Sequence, residues 1–206
     1  MVISSEFPTP NYYYICPKPT DMENNLSRHF IRYGIIYALI QIIITVASYM
    51  AGVDFIASNM ILFGVLMLLL TVAFTIFSII QFRKSAGGYM TLKEGFMVTF
   101  FTLAVGGLIT TIFTIILYNF IDKEYPQQLA EKSIQKTAEL MESFGASQED
   151  IEKAMNNTDD VAARFTVFGQ IRGYLLGLIF YAIYAVILGA IFKRNRPPFE
   201  EPQQVS

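Results

Sequence analysis

The chain has 206 residues, 53% of them hydrophobic and 16% charged, with a formal net charge of −2 and a mean hydropathy of +0.43. Soluble domains carry about 25% charged residues, so this balance points to a membrane, and the near-neutral charge leaves no basic face for nucleic acid. The single cysteine, Cys16, excludes an internal disulfide and a thiolate metal cage, and the single histidine, His29, has no second imidazole to share a ligand with.

Residues 1–32 are expected to be an N-terminal tail, of which 1–21 are polar and tyrosine-rich, without the apolar run of a secretory signal. Met22 opens the segment MENNLSRHFIRYG, a natural polar lead into a first apolar run, so translation is expected to start there, with residues 1–21 not native. About 20 mostly apolar residues cross about 30 Å of hydrocarbon. Residues 33–50 are the first such run, with Gln41 as their one strongly polar group, and residues 60–80 are the second. The short connection AGVDFIASN makes the two a tight helical hairpin.

The next stretch, QFRKSAGGYMTLKEGF, holds paired glycines, lysines and a threonine, the ingredients of a phosphate loop. A phosphate loop follows a strand and places its glycines and lysine in a fixed order. Here an apolar helix precedes it and the glycines come first at the wrong spacing. The stretch reads instead as a turn at Gly87 and Gly88, followed by a capping box from Thr91 to Glu94 that opens the third span, residues 96–120.

Residues 121–158 form a small helical lobe. Pro126 opens one helix and Gly145 stops it; Ser147 caps a second, shorter one carrying a Glu149–Lys153 pair. Thr158, with Asp159 and Asp160 behind it, reads as a fresh N-cap. One unbroken helix is expected over 159–192, about 50 Å long at about 1.5 Å per residue, containing the fourth span at 173–192. Its first turns carry Val161, Phe165 and Phe168 on a stripe expected to pack on the lobe. Residues 193–206 are a polar tail. The fold class is therefore all-α: a polytopic membrane protein of four transmembrane helices with a lobe between spans three and four. The first three spans lie within 33–120.

Lysine and arginine mark the cytoplasmic side. Lys18, Arg28, Arg32, Arg83, Lys84, Lys93, Lys193, Arg194 and Arg196 lie on the side of the termini. Lys123, Lys132, Lys136, Lys153, Arg164 and Arg172 lie on the other, and the loop between spans one and two has none. Both termini are expected in the cytoplasm.

No ionisable residue falls inside the four spans, whereas proton and ion pathways need one. His29 reads as a solvated interface residue. No catalytic constellation, cofactor motif or metal-ligand spacing appears, so the chain is not expected to be an enzyme. Small residues recur every fourth position: Thr102, Gly106, Thr110 and Thr114 in span three, and Gly169, Gly173, Gly177, Ala185 and Gly189 leading into and along span four. Such rows let helices approach closely in lipid, and these are expected to pack spans three and four together. Arg83, Lys84 and Lys93 are candidate contacts for lipid headgroups.

GGYMTLKEGF before span three, NFIDKEYPQQLAE at its far end and SFGASQEDIEKAM in the lobe resemble the bacterial membrane-protein family catalogued as domain of unknown function 4199. The resemblance runs from about Ser27 to Lys193. It implies four spans in a bacterial inner membrane and brings no established activity or catalytic residue; its polar start agrees with Met22. The resulting expectation is a non-catalytic accessory or scaffold subunit of a bacterial inner-membrane (envelope) complex, the alternative being a lipid or polyprenyl-phosphate carrier. Expected partners are membrane lipids, with a second copy of the chain or a membrane enzyme as protein partner, and no nucleic acid.

Overall fold

The computed structural model describes residues 19–156 and 158–194, with the backbone alone for 19–24, 158 and 159. The expectation about residues 1–21 falls almost wholly outside them. Eight helices make up the described chain: α1 (Pro19–Ala51), α2 (Val53–Ser58), α3 (Met60–Ser85), α4 (Leu92–Ile116), α5 (Tyr125–Ser143), α6 (Gln148–Met155), α7 (Thr158–Ala163) and α8 (Val167–Phe192). Four segments are long and apolar enough to cross a membrane: Asn25–Ala51, Met60–Ser85, Leu92–Ile121 and Val167–Phe192. The chain is a multi-pass, all-helical membrane protein. Its spans run up and down, so one end of the bundle carries α1's start and α8's finish, and the other carries the lobe.

α4 is the central helix, with α1 and α8 packed along it. Apart from the Thr71–Tyr37 hydroxyl contact of 2.9 Å, α3 joins them through its second half. Its buried residues, Thr75, Ser78, Ile79 and Phe82, all lie there, while Ile61, Leu62, Val65, Leu66 and Leu69 of the first half are exposed. Lipid tails are as apolar as leucine, so such side chains gain nothing by being buried, and close fit decides which faces pack. The tightest core sits at the terminal end, where Leu26, Ile79, Phe82, Met90, Val98 and Leu188 meet.

That end is pinned by backbone. Gly87 and Gly88 take positive φ of 74° and 87°, a conformation costly for residues with a Cβ, and turn the chain from α3 into α4. The capping box is formed as the sequence predicts: the Glu94 amide donates to Thr91 Oγ1 at 3.2 Å and the Thr91 amide to Glu94 Oε2 at 2.7 Å. Met90 and Arg194 exchange backbone hydrogen bonds of 3.0 and 2.8 Å, tying α8's exit to this turn. The stretch that resembles a phosphate loop is a helix-to-helix corner.

At the opposite end, α4 widens into a π-helical turn, Leu117–Ile121, before Asp122. Asp122 Oδ1 accepts the Tyr125 amide at 2.9 Å and the Glu124 amide at 3.2 Å, satisfying the start of α5, while Oδ2 accepts the Tyr49 hydroxyl of α1 at 2.8 Å. The Tyr49 bond, followed by those amides, holds its carboxyl below the ordinary 3.8. α5 packs on α2, α6 and α7, and Lys132 meets Asp54 of α2 at 2.9 Å. Pro126 lies in the first turn of α5, Gly145 ends that helix at φ 77°, and Ser147 caps α6 with the Glu149–Lys153 pair at 2.7 Å. AGVDFIASN is more than a loop, since it contains α2.

The continuous helix expected over 159–192 is divided. α7 ends at Ala163, and Thr166 caps α8 by accepting the Gly169 amide at 3.2 Å. An N-cap hydroxyl offers the backbone a local partner that competes with an unbroken helix. Phe165 packs edge-on to Tyr118 at 5.8 Å, but Phe168, beyond the break, is 76% exposed.

Candidate functional site

At the terminal end, α1 and α3 part to leave a pocket of about 520 Å³. Asn25, Arg28, Arg32 and Tyr33 of α1 face Gln81 and Ser85 of α3, with Glu94 at the rim. Residues 25, 28, 29, 32 and 33 share one helical face because they recur at spacings of three and four. His29 forms the wall: its Nε2 lies 3.1 Å from the Ser78 carbonyl, which can only accept, so Nε2 carries the proton. The imidazole stacks on Tyr33 at 4.2 Å and meets Phe82 edge-on at 5.3 Å. Half-buried and hydrogen-bonded across to α3, His29 is not the solvated interface residue the sequence implies, because α3 packs over it. Among the described residues neither Arg28 nor Arg32 forms an ion pair, and Glu94 spends its carboxylate on the Thr91 cap.

Arg83, Lys84 and Lys93 lie at the same end of the bundle but do not line this pocket. Sequence reasoning nominated the loop cations as headgroup contacts and read Arg28 and Arg32 only as markers of the cytoplasmic side and His29 as an interface residue. The available signal was the i, i+4 spacing of the two arginines at the mouth of the first span.

Two further cavities continue toward the lobe. A cleft of about 270 Å³ lies between α1, α4 and α8, lined by the polar side chains of Tyr37, Gln41, Thr110, Thr111, Thr114, Tyr174 and Tyr181 and by Gly107, Gly173 and Gly177. Gln41 donates to the Tyr37 hydroxyl at 2.7 Å, Tyr37 meets Thr71 of α3 at 2.9 Å, and Tyr174 donates to the Ala104 carbonyl at 3.0 Å. A lobe-end cavity of about 720 Å³ is lined by Arg164, Arg172, Asp160, Thr166, Gln170 and again Gly173, among others.

The small-residue rows distribute among these features. Gly106 faces α1, where a Cβ would lie 2.5 Å from Tyr37 Cδ1 and 3.0 Å from the Gly34 carbonyl oxygen. Thr102 is buried beside the same contact. Gly189 faces α4, where a Cβ would lie 3.1 Å from the Leu92 oxygen, and Ala185 is buried one turn before it. Thr110 bonds its own helix at the Gly106 carbonyl, and Thr114 donates to Gln170 of α8. Gly169 fits the α7–α8 corner, where a Cβ would overlap the Ala163 carbonyl. A Cβ on Gly173 or Gly177 would meet no other helix, and both glycines line the cleft. Spans three and four pack along one another, through Gly189 at the terminal end, the Tyr174–Ala104 bond at mid-span and Thr114–Gln170 toward the lobe, although not every residue of the two rows faces the other span.

A family model described as Protein of unknown function (DUF4199) matches residues 32–194. The chain belongs to this family. Comparison with curated proteins and with solved structures gives no match for this DUF4199 member. Of the motifs that carry the resemblance, GGYMTLKEGF builds the α3–α4 corner, and Asp122 of NFIDKEYPQQLAE ties α1 to α5.

Proposed function

We propose that this DUF4199 protein is a non-catalytic binding protein for anionic phospholipids, with the Arg28–Arg32 pocket as the headgroup site. One observation carries the reading: two arginines without acidic partners among the described residues face a cavity between membrane helices, where the first span begins. Arginine matches phosphate oxygens with a planar fork of donors, and basic pockets between spans on the cytoplasmic side recognise anionic lipids. Asn25, Gln81 and Ser85 supply neutral hydrogen bonds around it, and the exposed apolar face of α3 lies alongside for the acyl chains. The lysine and arginine bias supports placing both termini in the cytoplasm of a bacterial inner membrane. The accessory-subunit role then follows as what a lipid-loaded, non-catalytic bundle with a fixed external lobe would serve.

Dioleoyl phosphatidylglycerol added to the detergent-purified protein should raise its thermal unfolding midpoint, whereas phosphatidylcholine and inorganic phosphate should not. Arg28→Ala/Arg32→Ala should abolish the shift while Arg83→Ala/Lys84→Ala keeps it. An equal shift with free phosphate would reassign the pocket to a soluble anion, and a shift surviving the Arg28/Arg32 change would remove the site.

A further inference from the structure

We infer that the bundle passes phosphate-bearing headgroups from one leaflet to the other along a polar route between α1, α4 and α8, with α3 as the element that opens it. The inference rests on the lipid-binding reading above and extends it from a site to a path.

Both ends of the route hold unpaired cations. Arg28 and Arg32 lie at one end, and Arg164 and Arg172 line the lobe-end cavity at the other; among the described residues none of the four is ion-paired. The mid-membrane cleft and the lobe-end cavity are neighbours: Gly173 lines both, and Gln170 of the cavity holds Thr114 of the cleft. Hydroxyls and amides there replace part of a headgroup's water, which hydrocarbon cannot do. The acyl chains would remain in lipid beside the cleft while the headgroup travels.

Between the cleft and the Arg28–Arg32 pocket the route is closed. Tyr37 meets Thr71 at 2.9 Å, Thr75 meets Tyr184 at 2.7 Å, and the ring of Tyr33 lies 6.4 Å from Phe74 and 6.1 Å from Phe77. This closed section is itself polar. Thr75, Ser78, Thr99 and Thr102 are all buried, and the hydroxyls of Thr99 and Thr102 have no partner among the described residues. A buried hydroxyl without a partner costs about 1–3 kcal/mol, so a section built only as a barrier would do better with alanine or valine there. α3 supplies one side of both cross-helix hydroxyl contacts, and toward the lobe from Thr71 it has no buried residue. Moving α3 breaks the Tyr37–Thr71 and Thr75–Tyr184 contacts together and joins the cleft to the pocket.

The full chain should be reconstituted into phosphatidylcholine/phosphatidylglycerol vesicles that carry fluorescent NBD-phosphatidylglycerol in both leaflets. External dithionite bleaches the outer leaflet alone. Protein-free vesicles should stop at about half the signal, and vesicles with the protein should bleach nearly completely. Gly177→Leu and Thr111→Leu, which fill the cleft far from Arg28 and Arg32, should slow the second half by roughly tenfold or more while leaving the phosphatidylglycerol-induced thermal shift intact. Bleaching that stops at half in a protein that still shows the shift overturns the path and leaves the binding reading standing. Full bleaching unaffected by either cleft variant overturns the route. Loss of the shift in wild-type protein sinks the binding reading first.

Discussion

Asp122 shows how one side chain couples a membrane bundle to its lobe. Its two carboxylate oxygens divide their work between α1, through Tyr49, and the start of α5, through the Tyr125 and Glu124 amides. Asp122→Ala should release both attachments, and hydrogen exchange at the amides of residues 124–130 should quicken relative to the bundle core. The same contacts carry a pH dependence. Because the native carboxyl titrates below its ordinary 3.8, its stabilising contribution is present above that value and is lost as pH falls through the lower native value. Lobe protection should therefore drop in acid in the wild type and show no such drop in Asp122→Asn. Thr166 acts at a second corner. Thr166→Ala removes the cap of α8 and should cost about 1 kcal/mol of thermal stability in detergent.

Among the helices, the four-residue rows were visible in the sequence, but their partners were not. A glycine that recurs every fourth position states that a face is flat; it does not state which neighbour uses it. Gly106 is filled by α1, Gly189 by α4, and Gly173 by no helix. Alanine at these positions should separate the roles. Gly106→Ala forces a methyl into the Tyr37 ring and should destabilise by about 1–3 kcal/mol. Gly173→Ala meets no atom within 4 Å and should be neutral or stabilising by up to about 1 kcal/mol through helix propensity. Equal unfolding midpoints for the two would contradict this assignment. The helix break at residues 164–166 escaped the sequence reading for a related reason. The apolar pattern runs on through it, and only a local Thr cap and a glycine that fits under the Ala163 carbonyl mark the corner.

On the scale of the whole molecule, the uneven packing of α3 sets the chain apart from a closed four-helix bundle. α1 and α8 share long contacts with α4, and α3 is fastened at the terminal end by Ile79, Phe82 and the Ser78–His29 and Thr75–Tyr184 contacts. His29→Leu removes the donor to the Ser78 carbonyl while keeping apolar bulk. It should loosen that fastening, with the exchange of α3 amides near Ser78 rising before those of α4. The sequence by itself determined the four spans, the charged corners, the capping box and the lobe's two capped helices. Each of these depends on residues near one another in the chain: an apolar run of sufficient length, or a hydroxyl three residues before an amide. Only the tertiary structure decided where the polar side chains meet. The Arg28–Arg32 pocket and the hydroxyl-lined cleft are assembled from helices far apart in sequence. In lipid, close fit between backbones rather than burial of apolar surface selects the neighbours, and a hydrophobicity pattern carries no record of that choice.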